Sequence, residues 1–203
     1  MRTITGLFDT YDDSSAAVRS LKDAGISDND ISIVGNNSDG THGRDDADGV
    51  AEGVGAGAGI GAAVGGTGGL LAGLGLLAIP GVGPVVAGGW LLATAVGAVA
   101  GAAVGGATGG IIGALTDAGV DERDAHVFAE GVRRGGTLVT VRVDESRADA
   151  AQAILHDAGQ VDVTGRRQQY EGEGWETFND KADPYSPDQM TAYRSSIVPP
   201  MIR

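Results

Sequence analysis

Three histidines, His42, His126 and His156, are the side chains of this 203-residue chain best suited to proton transfer or metal binding near neutral pH. No two of them have helical metal-ligand spacing, and none stands beside a motif carboxylate or a cysteine. His42 falls in a polar stretch and reads as solvated; His126 and His156 read as helix-surface residues. Asp45-Asp46-x-Asp48 matches part of a calcium loop but lacks the rest, including the distal glutamate. Gly57-Ala-Gly-Ile-Gly-Ala62 fits a loose G-x-G-x-x-A pattern, yet no strand precedes it and a longer glycine repeat generates the same string. Arg133-Arg134 and Arg166-Arg167 are short basic pairs in an acidic chain, and salt bridges to Asp or Glu of another element or subunit are their plain reading. No nucleophile, base and metal set assembles from these residues. The expectation is a protein that is not an enzyme, with no catalytic, cofactor-binding or metal residues and no cofactor.

Charge narrows the partners. The net charge is −13 with a pI near 4.4, which disfavours non-specific nucleic-acid binding and attraction to anionic lipid. There is no cysteine, so no disulfide or thiolate chemistry is available. The first residues, Met1 to Asp9, contain no apolar leader and read as a strand, so a cytoplasmic location is expected.

The elements that must position anything else are set by an unusual glycine pattern. Gly53, Gly57, Gly61, Gly65, Gly69 and Gly73 recur every fourth residue; so do Gly89, Gly97, Gly101, Gly105, Gly109 and Gly113, with Ala93 in the gap. The two sets mirror each other about Gly81. Fourfold spacing lines small residues along one side of a helix, where a second backbone can approach. In helices, twelve such glycines would cost on the order of 10 kcal/mol relative to alanine, which only close packing can offset. No Asp, Glu, Lys or Arg occurs from Gly53 to Thr116. The spacing therefore predicts a helical hairpin over residues 50–119, turned at Pro80, Gly81, Gly83 and Pro84. Its outward apolar face would carry Leu70, Leu71, Leu74, Leu77, Trp90, Leu91 and Leu92.

On either side lie two similar units. Residues 1–36 read as strand, helix and strand, with the helix over 16–24 capped from Asp12, Asp13, Ser14 or Ser15; residues 37–49 form a polar linker. Residues 120–164 read as a helix, a strand at Thr137–Val143, a helix over 150–158 and a short strand at 161–163. The string Ala16-Ala17-x-x-x-Leu21-x-Asp23-Ala24-Gly25 matches Ala150-Ala151-x-x-x-Leu155-x-Asp157-Ala158-Gly159. Such a duplication predicts an α+β, ferredoxin-like split βαβ domain: four antiparallel strands with helices on one face.

Residues 165–203 are polar and proline-bearing, yet Tyr170, Trp175, Phe178, Tyr185 and Tyr193 are five of the nine aromatics. A free tail is normally aromatic-poor. An extended arm that docks on its own domain or on a neighbour is expected.

Thr5-Gly-Leu-Phe-Asp9, Asp23-Ala-Gly-Ile26 and Ala129-Glu-Gly-Val-Arg-Arg-Gly-Gly-Thr-Leu-Val139 resemble bacterial general stress proteins of the YflT type. Gly172-Glu-Gly-Trp-Glu-Thr-Phe178 is similar to the tails of some proteobacterial members. The resemblance covers roughly residues 1–35 and 120–180. It implies stress induction and a small βαβ-type domain, often with a glycine-rich apolar insert, and it brings no catalytic residues.

Two main readings follow. In one, the hairpin packs against hairpins of other copies, giving a homo-oligomer or larger assembly. In the other, it enters the cytoplasmic membrane from the inner side, although the flanks are acidic and carry no Lys/Arg cluster. A small-ligand-binding regulatory module is a further alternative, on fold analogy alone. Self-assembly is the preferred expectation, with the chain itself as partner, the bilayer as the alternative partner, and no nucleic acid or identified small molecule.

Overall fold

The computed structural model describes residues 1–38, 75–79, 81–91 and 110–197. In chain order these give β1 (Arg2–Phe8), α1 (Tyr11–Asp23), β2 (Ile31–Asn36), β3 (Gly75–Ile79), β4 (Gly83–Gly89) and α2 (Ile111–Asp117). They continue with α3 (Glu122–Arg133), β5 (Thr137–Val143), α4 (Ala148–Asp157), α5 (Val163–Gly172) and α6 (Pro187–Ile197). The chain is therefore α+β. The sheet has five strands in the order β1-β5-β2-β4-β3, and every neighbouring pair is antiparallel.

β1 and β2 both run antiparallel to β5, which lies between them. They are thus parallel to each other and joined over the sheet by α1. Alternation along the strands divides the core into two layers. Ile4 and Phe8 of β1, Ile31 and Ile33 of β2, and Val139, Val141 and Val143 of β5 face α1 and α4. There they pack on Ala17, Val18, Leu21, Ala148, Ala151 and Leu155. Leu7, Val34, Leu138, Val85 and Ala87 face the other way, against Ile111, Ala114 and Leu115 of α2 and Ala125, Phe128, Ala129 and Val132 of α3. Helices cover both faces, not the one face expected.

The duplicated string has a common geometry. Gly25 and Gly159 have φ of 77° and 86°. In α1, Gly25 N–H donates to Lys22 O and Ile26 N–H to Leu21 O; in α4, Gly159 N–H donates to His156 O and Gln160 N–H to Leu155 O. This is a left-handed glycine stop that satisfies the last carbonyls of each helix. A third Asp-Ala-Gly, at 117–119, ends α2 in the same way, with Gly119 N–H on Thr116 O and Val120 N–H on Leu115 O.

Three boundaries differ from expectation. The N-cap of α1 is Thr10, whose hydroxyl accepts from Asp13 N–H at 3.1 Å. Residues 161–163 form no strand. Val161 N–H makes one ladder-like bond to Leu7 O at 2.7 Å, and the Asp162 carboxylate then caps α5 through the Thr164 and Gly165 N–H groups. A carboxylate placed two and three residues before free amides starts a helix, and β1 is left as the outer strand on that side. The segment after 165 is not extended: it folds into α5 and α6.

The larger correction concerns the hairpin. Residues 75–79 and 83–89 are strands, so the proposed helical arms do not run through them. The reversal at the predicted tip exists, but as a β-turn in which Val82 N–H donates to Ile79 O at 3.0 Å, with Gly81 at φ 74° and Gly83 at φ 98°. Val82, Val85 and Val86 bury their β-branched side chains, which favours strand over helix here.

Candidate functional site

Sequence singled out two places: the glycine-rich region and the aromatic C-terminal segment. The structure describes the second as far as Ile197 and the anchor of the first.

The aromatic segment closes on the C-terminal end of α3. Arg134, which follows α3, has its guanidinium 4.0 Å from the Tyr170 ring centroid, 5.1 Å from Tyr193 and 5.7 Å from Tyr185. The same group bonds the buried Glu130 carboxylate at 2.8 Å and also the Glu173 carboxylate. Glu130 takes Arg133 as a second partner at 3.2 Å, and Arg133 lies 4.9 Å from the Tyr185 ring centroid. Burial by itself would lower the Arg134 pKa; the bonds to Glu173 and Glu130 outweigh it and hold the guanidinium charged.

A second arginine ties α5 to β1. Arg166 donates to both Asp9 oxygens, each at 2.8 Å, and to the Tyr193 hydroxyl at 3.1 Å. Between the two arginines Tyr170 is fully buried, set edge-on to Trp175 with centroids 5.6 Å apart. The Tyr170 hydroxyl has no hydrogen-bond partner among the described residues. Its pKa is driven far up by burial, with Tyr193 adding to the rise and Arg166 opposing it. Burial also raises Tyr193. Tyr170 and Tyr193 therefore stay neutral near pH 7.

The rest of the segment is seated as well. Phe178 joins the core layer beneath α2 and α3, Met190 of α6 packs on Gly135, and Arg194 donates to Gly135 O at 3.2 Å. Arg167 pairs with Asp124 of α3. All four arginines of the two basic pairs thus hold carboxylates. The sequence signal for this latch of α5 and α6 onto α3 was the coincidence of two Arg-Arg pairs with five aromatics in an otherwise polar stretch. Glu130 and Glu173 were not anticipated, because nothing in their spacing marks them.

At the glycine-rich region the described residues correct several assignments. Gly89 is not a helix-packing residue: it has φ 91°, and a side-chain carbon there would lie 2.2 Å from Ile31 O, so it serves close approach of β4 to β2. Trp90 and Leu91 do not form an outward apolar face. Leu91 is buried in the core, and the Trp90 indole donates to Asp30 O at 3.2 Å beneath the Arg142 guanidinium, 4.4 Å away. Gly113 lies in α2, Gly81 in the turn, Gly83 and Pro84 at the start of β4, and Leu77 in β3. Gly53, Gly57, Gly61, Gly65, Gly69, Gly73, Ala93, Gly97, Gly101, Gly105, Gly109, Leu70, Leu71, Leu74, Leu92 and Pro80 lie outside the described residues.

Register shows where those segments attach. Gly75 at the start of β3 pairs with Ala87 near the end of β4, and Trp90 and Leu91 follow directly. The chain thus enters β3 and leaves β4 at the same end of the hairpin.

Of the candidate chemical residues, His42, Asp45, Asp46 and Asp48 lie outside the described residues. His156 is exposed beside Asp157, and His126 Nδ1 shares a hydrogen bond with the Thr177 hydroxyl at 2.9 Å. Among the described residues no three His, Cys, Asp or Glu side chains group as a metal site, and no helix is long and apolar enough to cross a membrane. No family model matches the chain, and no curated protein or solved structure is found to match it.

Proposed function

We propose that this chain is a non-enzymatic assembly protein of the bacterial general-stress type, in which a folded α+β platform presents two uncharged glycine-rich runs that drive self-association. The observation that carries the reading is the common attachment of both runs, 53–74 and 92–109, at one end of the β3–β4 hairpin. Glycine at every fourth position lets two helices approach closely, which offsets the helix penalty of glycine. The C-terminal segment supports the reading, because its aromatics are engaged within the chain itself. The platform corresponds to a ferredoxin-like unit whose last strand has been reduced to the Val161–Leu7 bond.

The test is expression followed by carbonate washing of membranes, with electron microscopy of the detergent-free soluble fraction. A large soluble particle is expected. Retention in the washed membrane would replace this reading with bilayer insertion, and a soluble monomer would overturn both.

A further inference from the structure

The two outer strands of the sheet are treated differently. β1 is blunted: Val161 N–H caps Leu7 O, and Arg2 pairs with Glu145 beside it. β3, with the sequence Gly-Leu-Leu-Ala-Ile, has no proline, no charge and no bulge in its pairing with β4, and it has no second strand neighbour among the described residues. Natural edge strands are normally guarded by one of those devices.

Register tells which backbone groups of β3 face outward. Asn37 N–H donates to Pro84 O, so Pro84 and Val86 turn their backbone groups toward β2, and Val85 and Ala87 turn theirs toward β3. Val85 is opposite Leu77 and Ala87 opposite Gly75, so these β3 residues bond to β4. Leu76 and Ala78 turn both N–H and C=O away from β4, to the side on which no described strand lies. They stand symmetrically about Leu77.

We propose that this edge is occupied by β3 of a second copy, antiparallel and about a twofold axis at Leu77. In that register Leu76 of each copy exchanges both bonds with Ala78 of the other, which satisfies every outward group of the inner strand and closes the interface. Self-complementarity about one residue is what an isologous contact requires. Although the chain carries −13 overall, residues 75–91 hold no charge, so copies meet there without local repulsion. The inference rests on the reading of self-association and specifies one of its contacts.

Proline is the discriminating substitution, since an outward N–H can be removed without breaking the β3–β4 ladder. Leu76→Pro and Ala78→Pro, made singly in the full chain, are expected to keep the wild-type near-ultraviolet circular dichroism. Each should weaken the smallest assembly unit by roughly tenfold or more in sedimentation, from the bonds lost in each dimer. In the wild type, the Leu76 and Ala78 amides should gain protection from hydrogen exchange as concentration rises, a readout that survives if the variants misfold. Concentration-independent protection would mean that the chain's own residues cover the edge, and it overturns the proposal. Unchanged assembly of folded proline variants overturns it while leaving self-association standing. A wild type that is monomeric throughout removes both.

Discussion

Arg166 and Asp9 are joined by two parallel hydrogen bonds of 2.8 Å, and they lie 157 residues apart. The pair fastens α5 to the end of β1 with only 9% of the Arg166 side chain exposed. Such fork-to-fork geometry fixes orientation as well as charge.

Breaking one side of this pair leaves a poorly solvated charge behind. Arg166→Ala is expected to lower unfolding stability by roughly 2–3 kcal/mol, below the range for a wholly buried pair because Asp9 retains some solvent. The double variant Arg166→Met with Asp9→Leu should lose less than the sum of the single changes. Denaturant unfolding of the four proteins reads the difference, and additive losses would show that the pair is not coupled.

Tyr170 gives a signed pH dependence. An unfolded tyrosine ionises near pH 10, whereas burial holds the folded one neutral well above that. Above about pH 10 the unfolded state has released a proton that the folded state keeps, so stability falls with rising pH; below it this contribution is constant. The slope is about 1.4 kcal/mol per pH unit for each such tyrosine. Tyr170→Phe should reduce it by one tyrosine's share, and at neutral pH should be neutral or stabilising by up to about 1 kcal/mol, since the hydroxyl has no hydrogen-bond partner among the described residues. Unfolding midpoints measured from pH 7 to 11 check both parts; an unchanged alkaline slope would contradict the assignment.

Two glycines with similar φ separate strain from crowding. Gly159, at φ 86°, faces open space, and Gly159→Ala should cost about 1 kcal/mol for the left-handed backbone alone. Gly89, at φ 91°, lies against Ile31 O, so Gly89→Ala must also move strand backbone and should cost about 3 kcal/mol or more. Thermal unfolding of the pair tests this. Equal losses would mean that β4 does not approach β2 as described.

These residues also show what could be read before the structure. The matched strings ending at Gly25 and Gly159 announced two helices and their stops, because Asp-Ala-Gly encodes a local geometry that needs no distant partner. Both helices lie in one core layer, as a duplication implies. The hairpin misled because a four-residue glycine period ran through Gly73 and Gly89 and masked the β-branched cluster Val82, Val85 and Val86. Gly89 fits that period, but its conformation answers to Ile31, far away in sequence. The latch was half legible. Its aromatics and arginines stood out against their composition, whereas the Arg134–Tyr170 stacking depends on how α3 and α5 meet. The loss of a strand at 161–163 turned on one side chain, Asp162, whose capping role competes with pairing to β1.

The central claim is that the glycine-rich runs drive self-association from a folded platform. Sedimentation velocity on the full chain without detergent, beside a variant carrying Gly61→Leu, Gly65→Leu, Gly97→Leu and Gly101→Leu, tests it most directly. A large wild-type particle that falls to a small species in the variant is expected, with the circular dichroism of the α+β platform retained in both. A wild type sedimenting as a monomer, or a variant assembling as well as the wild type, would contradict it.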